Sequence, residues 1–98
     1  MDALNKSLAL ILWAKDENGK DDVAVFPGTL VLENNIYFLQ RKDNSRPEIK
    51  SEWLSRIKEI PKELKPTLSD CEYQLSLTVE DVGKDTKSLE KNGLKWPV

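Results

Sequence analysis

The sequence predicts a mostly β domain, a small antiparallel partial barrel with one short amphipathic helix before the last strand. An apolar run at residues 8–14 is followed by a shorter run at 23–26, and two more apolar runs flank Asn34-Asn35. Apolar and polar residues then alternate over 73–80. Alternation with a period of two is typical of a strand with one buried face, and apolar runs separated by turn residues are typical of paired strands. A chain of 98 residues is long enough for one such core.

The first strand is predicted at residues 8–14, where every position is apolar. Such a run suits a strand that is buried on both faces. A helix over 4–16 is the alternative, because several of these residues also fit helical spacing. We favour the strand because Asn18-Gly19 follows it, and this pair tolerates the positive φ angles of a two-residue hairpin turn. The apolar residues 23–26 would then form the returning strand.

The next hairpin is predicted around Asn34-Asn35, with residues 29–33 and 36–40 as its strands. A two-residue loop fixes which side chains share a face. One face is uniformly apolar and is expected to face the core, with Leu32 opposite Tyr37 and Leu30 opposite Leu39. The other face is mixed, with Glu33 opposite Ile36, Val31 opposite Phe38 and Thr29 opposite Gln40.

Two proline-containing stretches are expected to change the course of the chain. Pro27-Gly28 is predicted to interrupt the strand ladder and form a corner of the sheet, because proline donates no backbone hydrogen bond and glycine permits a bend. Pro61 ends the segment 49–60, whose apolar residues recur at helical spacing and predict a short amphipathic helix. At most one further helical turn is expected before the last strand, at 73–79.

The predicted elements form one β-rich domain over residues 1–82. Residues 83–98 are a polar C-terminal tail in which a short docked helix is possible. The order of elements is four strands, one helix and a final strand. By analogy with this order, an SH3-like barrel is the first choice of architecture and a five-stranded OB-like barrel is the second.

Missing residue types exclude most catalytic and metal sites. The chain has no His and a single Cys, Cys71, so it cannot form a Ser-His-Asp or Cys-His site, a zinc cage or an internal disulfide. Its four glycines do not match a phosphate-binding loop. The acidic residues within 16–22 fit a solvated hairpin tip better than a calcium loop. We therefore expect no enzyme activity, no metal and no cofactor.

Charge and hydropathy limit the partners. A net charge of −2 gives no general reason to bind phosphate backbones or anionic membranes. The apolar stretch at 7–14 is too short to span a membrane, so a cytoplasmic protein is expected. Residues 41–66 are locally basic, with eight Lys and Arg against five acids.

Protein recognition is the function class that these exclusions favour. We predict a non-catalytic protein-interaction module that acts as an adaptor, inhibitor or assembly subunit. The candidate partner-binding residues are Trp96 in the tail, Ile36 and Phe38 on the mixed sheet face, and Arg41 and Arg46 beside it. The alternative is a weak single-stranded nucleic-acid binder that uses the basic segment 41–56 with its neighbouring aromatic residues. Its basic residues are Arg41, Lys42, Arg46, Lys50 and Arg56.

Overall fold

The computed structural model describes residues 2–15, 18–78 and 80–82. These residues form a mostly β domain with a single six-stranded sheet. The strands are β1 Ser7–Lys15, β2 Asp21–Glu33, β3 Ile36–Gln40, β4 Glu48–Ile49, β5 Lys58–Glu59 and β6 Tyr73–Thr78, and two 3-10 helices cover Ser51–Arg56 and Lys62–Leu68. The strand order is β4-β3-β2-β1-β6-β5, and β4 and β5 are not paired with each other, so the sheet is not closed into a barrel.

β1 lies in the middle of the sheet, which confirms the predicted strand and makes the alternative helix over 4–16 wrong. It pairs antiparallel with β2 along its whole length and parallel with β6. The sheet is therefore mixed, whereas the sequence predicted an antiparallel partial barrel of mostly antiparallel strands. Segment 60–71 returns the chain to the end of the sheet where β1 begins, and the Glu72 N–H donates to Ser7 Oγ at 2.8 Å. β6 starts from that end and so runs in the same direction as β1.

The connection between β1 and β2 is longer than the predicted two-residue turn. Lys15 pairs with Asp21, which leaves five residues between the strands. Gly19 has a φ of +78°, as expected for the glycine of this turn. The predicted two-residue loop is nevertheless wrong, because five residues separate the paired ends of the strands.

β2 is one continuous strand, so the predicted break at Pro27-Gly28 is wrong. These residues pair with Ala9 and Leu8 of β1. The edge of β2 that faces away from β1 gains a partner strand at this point, because β3 pairs with β2 from Thr29 onward. A Cβ atom at position 28 would lie 2.6 Å from the backbone oxygen of Gln40. Glycine at position 28 thus allows the end of β3 to pass close to β2.

Pro27 is compatible with the middle of β2 because of the direction of its nitrogen. The Leu30 N–H donates to Lys6 O, on the β1 side of the strand. Since successive N–H groups along a strand point to opposite sides, the nitrogen of Pro27 points away from β1. Among the described strands, none pairs with that side of residues 21–28. The missing N–H therefore removes no hydrogen bond from the sheet.

The β2–β3 hairpin confirms the register predicted from Asn34-Asn35. Both asparagines adopt positive φ, +54° and +67°, as a two-residue loop requires. Leu32 pairs with Tyr37, and Leu30 pairs with Leu39. Leu30 and Leu39 are fully buried, which confirms this face as the core face.

The predicted amphipathic helix over 49–60 is wrong. The segment forms β4, a single 3-10 helix and β5. Its apolar residues do not share one face of a helix, because Ile49 and Trp53 belong to the core on the inner face of the sheet, whereas Ile60 packs on the outer face. Two short strands joined by a 3-10 turn reach both sides, which one straight helix cannot do. The second 3-10 helix, Lys62–Leu68, is longer than the single turn expected there.

The core has two parts, one on each face of the sheet. The inner face carries the larger cluster, which includes Leu8, Leu10, Leu12, Leu75 and Leu77. The outer face carries a smaller cluster of Ala9, Ile60 and Cys71, with Val25 and Leu68 packed against it. The alternation predicted for the last strand is confirmed over Tyr73–Thr78, and Val79 lies outside the described residues. Among the described residues, segment 60–71 is therefore the part that covers the outer face, at the start of β1.

Candidate interaction surface

The end of the β2–β3 hairpin exposes apolar side chains on both of its faces. Leu32 is 44% exposed and Ile36 is 41% exposed. They lie on opposite faces, because Leu32 pairs with Tyr37 on the core side and Ile36 pairs with Glu33 on the outer side. The fully buried residues of the hairpin are further from the loop. The hairpin thus extends beyond the core that holds its base.

Arg46 fixes the outer side of this hairpin. Its guanidinium carbon lies 4.9 Å from the centroid of the Phe38 ring, within the range of a cation–π contact. The same guanidinium donates a hydrogen bond to the Glu33 carboxylate. A cation, an aromatic ring and a carboxylate from three segments therefore hold one another in place. We call Leu32, Glu33, Ile36, Phe38 and Arg46 the hairpin surface.

Arg41 lies apart from the hairpin surface. Its guanidinium carbon is 5.1 Å from the centroid of Phe26, a residue of the inner core. Its Nη1 atom lies 3.4 Å from a carboxylate oxygen of Asp43, and its Nε is buried with no hydrogen-bond partner. Hydrogen bonds from Ser45 lower the pKa of Asp43, and the nearby Arg41 adds to this effect. The side chain covers the core beside the open side of β2.

The structure therefore brings together three of the five predicted partner-binding residues, Ile36, Phe38 and Arg46. Arg41 covers Phe26 instead. Trp96 lies outside the described residues. Leu32 was missed, because the sequence pattern placed it on the core face and gave no sign that the core ends before the loop.

The arginines of the basic segment are engaged with neighbouring carboxylates. Arg41 pairs with Asp43 and Arg46 with Glu33. Arg56 Nη1 lies 2.9 Å from Asp81 Oδ2. Lys50 lies over the Trp53 ring, with its Nζ atom 5.4 Å from the centroid. Paired cations attract a phosphate backbone less than a continuous row of free cations does.

A second exposed apolar site lies at the other end of the sheet. Trp13 is 45% exposed and pairs with Val23, which is 44% exposed. On β6, Thr78 lies beside Trp13. The uniformly apolar run at 8–14 gave no sign that the Trp13 indole is exposed. The polar residues that alternate along β6 could have indicated it, because Thr78 lies beside Trp13 on the same face.

The described residues contain no reactive thiol and no metal cluster. Cys71 is buried, and this burial raises the pKa of its thiol, so the less reactive protonated form is favoured. Within the described ranges, no group of three or more possible ligands is arranged to hold a metal ion. None of the helices formed by these residues is long and apolar enough to cross a lipid bilayer.

Comparisons with models of protein families, with curated proteins and with solved structures found no match for this chain. The geometry of the described surface is therefore the basis for the proposed function.

Proposed function

We propose that this protein is a non-catalytic protein-interaction module that binds another protein through the hairpin surface. It acts without a cofactor, as an adaptor, inhibitor or assembly subunit. The observation that carries the proposal is the exposure of Leu32 and Ile36 on a hairpin that extends beyond the core. Of the neighbouring residues, arginine is a type enriched where binding energy is concentrated at interfaces, and it lies here on an aromatic ring.

The geometry favours an apolar partner surface with a polar rim. Leu32 and Ile36 offer apolar area on the two sides of the hairpin, and Phe38 extends that area beneath Arg46. Because Arg46 and Glu33 already neutralise each other, they form a polar edge that needs no opposite charge on the partner. The six-stranded sheet provides the base of the hairpin, and its finer assignment as a partial barrel, SH3-like or OB-like, stays a prediction.

The test is affinity capture from the cells that make the protein, with three tagged baits. The first bait is the wild type, and the second carries Leu32→Thr and Ile36→Thr, which remove apolar area but keep a residue type that favours strands. The third is the matched control Leu64→Thr, which changes a side chain that is 48% exposed on the second 3-10 helix.

We expect a protein that the wild type and the control retain and the double variant loses. The bound protein, once identified, should then bind the purified wild type with an affinity that falls about tenfold or more in the double variant. Equal capture by all three baits, or no capture above empty beads, would contradict the proposal. Circular dichroism of each bait establishes that it is folded.

The alternative, a weak single-stranded nucleic-acid binder based on residues 41–56, has less support. Its three arginines are each paired with a carboxylate, and Lys50 is stacked on Trp53. A labelled oligothymidylate titrated at two salt concentrations tests it, since phosphate contacts give a steep salt dependence. Saturable, salt-sensitive binding that Arg46→Gln weakens would favour the alternative.

A further inference from the structure

The outer face at the end of β1 and β6 combines an apolar site with a cationic cleft. Trp13 and Val23 supply the exposed apolar area. A cleft of about 520 Å³ lies between the first 3-10 helix, β5 and β6. Its lining is polar and basic, and consists of Ser55, Arg56, Lys58, Gln74 and Ser76.

The apolar site and the cleft share one face of the sheet. Ile11 and Trp13 of β1 pair with Ser76 and Thr78 of β6, and Lys58 of β5 pairs with Gln74. Since alternate residues of a strand share a face, Trp13, Ser76, Gln74 and Lys58 all project from the outer side. From the strand spacing and the rise per residue, Trp13 and Lys58 are about 16 Å apart, which is the span of about five extended residues.

The cleft has binding capacity that the protein does not use itself. Lys58 makes no ion pair with any described residue. The side chains of Ser55, Gln74 and Ser76 make no hydrogen bond within the described part of the chain. Arg56 donates to Asp81 through Nη1 only, which leaves further guanidinium N–H donors. Within the described part of the chain, Lys58, the remaining N–H donors of Arg56 and three polar side chains are thus available to an anionic group, whereas the charge of Arg56 is already shared with Asp81.

We infer that this face binds an acidic peptide segment, with its carboxylates at Lys58 and Arg56 and an apolar side chain against Trp13 and Val23. The basic lining of the cleft is complementary to carboxylates of the peptide. The exposed Trp13 indole favours an apolar side chain further along the same peptide. A nucleic-acid strand fits less well because it carries a phosphate at every residue. Phosphates outside the cleft would instead lie against the apolar side chains of Trp13 and Val23.

The test is a titration of the ¹⁵N-labelled full chain, followed by amide chemical shifts, with a short probe peptide. The probe is acetyl-Glu-Glu-Ser-Gly-Ser-Leu-Phe-amide, whose spacer matches the separation of the cleft and the indole. Two control peptides replace Glu-Glu with Lys-Lys, or Leu-Phe with Ser-Ser. We expect saturable shifts at Trp13, Ser76 and Lys58 with the probe, and weaker binding of each control.

Two variants decide whether the cleft is the cause. Lys58→Glu should weaken probe binding about tenfold, because it replaces an attraction by a repulsion of similar size. The matched control Lys42→Glu makes the same charge change at an exposed lysine outside the cleft and should bind like the wild type. The hairpin surface shares no residue with this face, so failure of one proposal leaves the other standing.

Four outcomes would overturn the inference. The first is the absence of saturable shifts at about 1 mM peptide, and the second is an equal loss of affinity in the two lysine variants. The third is binding of an oligothymidylate as tight as that of the peptide, which would identify nucleic acid as the occupant. The fourth is a set of the same shifts that depends on protein concentration without peptide, which would identify a second copy of the chain.

Discussion

The two faces of β1 are made of alternating residues of one strand, and their surroundings differ. The inner residues from Leu8 to Leu12 are fully buried, whereas the outer residues from Ala9 to Trp13 pass from fully buried to 45% exposed. The inner set is Leu8, Leu10 and Leu12, and the outer set is Ala9, Ile11 and Trp13. Segment 60–71 covers only the start of the outer face. A central strand with an apolar run can thus stabilise the core on one face and leave an exposed apolar side chain on the other.

The largest effect should come from the inner face. Leu10→Ala removes a fully buried side chain and leaves a cavity, so the free energy of unfolding should fall by about 3 kcal/mol. Val23→Ala, on the exposed outer face, should lower it by less than about 1 kcal/mol. Urea denaturation of both variants measures the difference. Similar losses of stability in the two variants would contradict the difference in burial between the inner and the outer face.

The next largest loss of stability is expected at Gly28, and it should exceed the loss at Gly19. Gly28→Ala places a Cβ atom 2.6 Å from a backbone oxygen, and should lower the free energy of unfolding by about 2 kcal/mol as the strands shift apart. Gly19→Ala meets no atom within 4 Å and should cost about 1 kcal/mol, from its positive φ alone. Chemical denaturation again provides the measurement. A smaller loss for Gly28→Ala than for Gly19→Ala would contradict the close approach of β3.

The smallest effect concerns the turn that follows β6. Asp81 Oδ2 accepts hydrogen bonds from Arg56 Nη1 and the Thr78 N–H, both at 2.9 Å, and from Thr78 Oγ1. The Arg56 hydrogen bond is the largest cause that lowers the pKa of Asp81 below its usual 3.8. Asp81→Asn should lower the free energy of unfolding at pH 7 by about 1 kcal/mol.

The pH dependence of this loss follows from the direction of the shift. Because the folded protein favours the ionised carboxylate, its contribution is complete above the unfolded pKa and is lost as the pH falls through the lower folded pKa. The gap between wild type and Asp81→Asn should therefore close as the pH is lowered from 5 to about 2. Denaturation curves across this range test it, with Glu80→Gln as the neighbouring control. A gap that stays constant with pH would exclude the ion pair as its source.

Local sequence patterns predicted the hairpin and the last strand because each depends on neighbouring residues. Two asparagines that adopt positive φ fixed the β2–β3 register, and through it the outward position of Ile36 beside Glu33. The stacking of Arg46 on Phe38 could not be predicted in this way, because it depends on β4, which returns past β3 and which the sequence did not predict.

The features that were not predicted depend on contacts between distant segments. Helical spacing over 49–60 is equally compatible with two short strands joined by a 3-10 turn, and only the sheet decides which side each residue faces. The parallel pairing of β1 with β6 has no local signal. Arg41 was assigned to the partner surface because nothing in the sequence shows that Phe26 lies beneath it.

The position of β6 beside β1 also has a consequence for the newly made chain. Leu8 and Tyr73 are neighbours in the sheet but are 65 residues apart in the sequence. During synthesis, β2 can join β1 early, but the opposite edge of β1 has no neighbour until the ribosome has released β6. Until then that edge and its leucines remain open to aggregation and to chaperones. The step that completes folding is therefore expected to be the late arrival of β6, and to be slower than formation of the two hairpins.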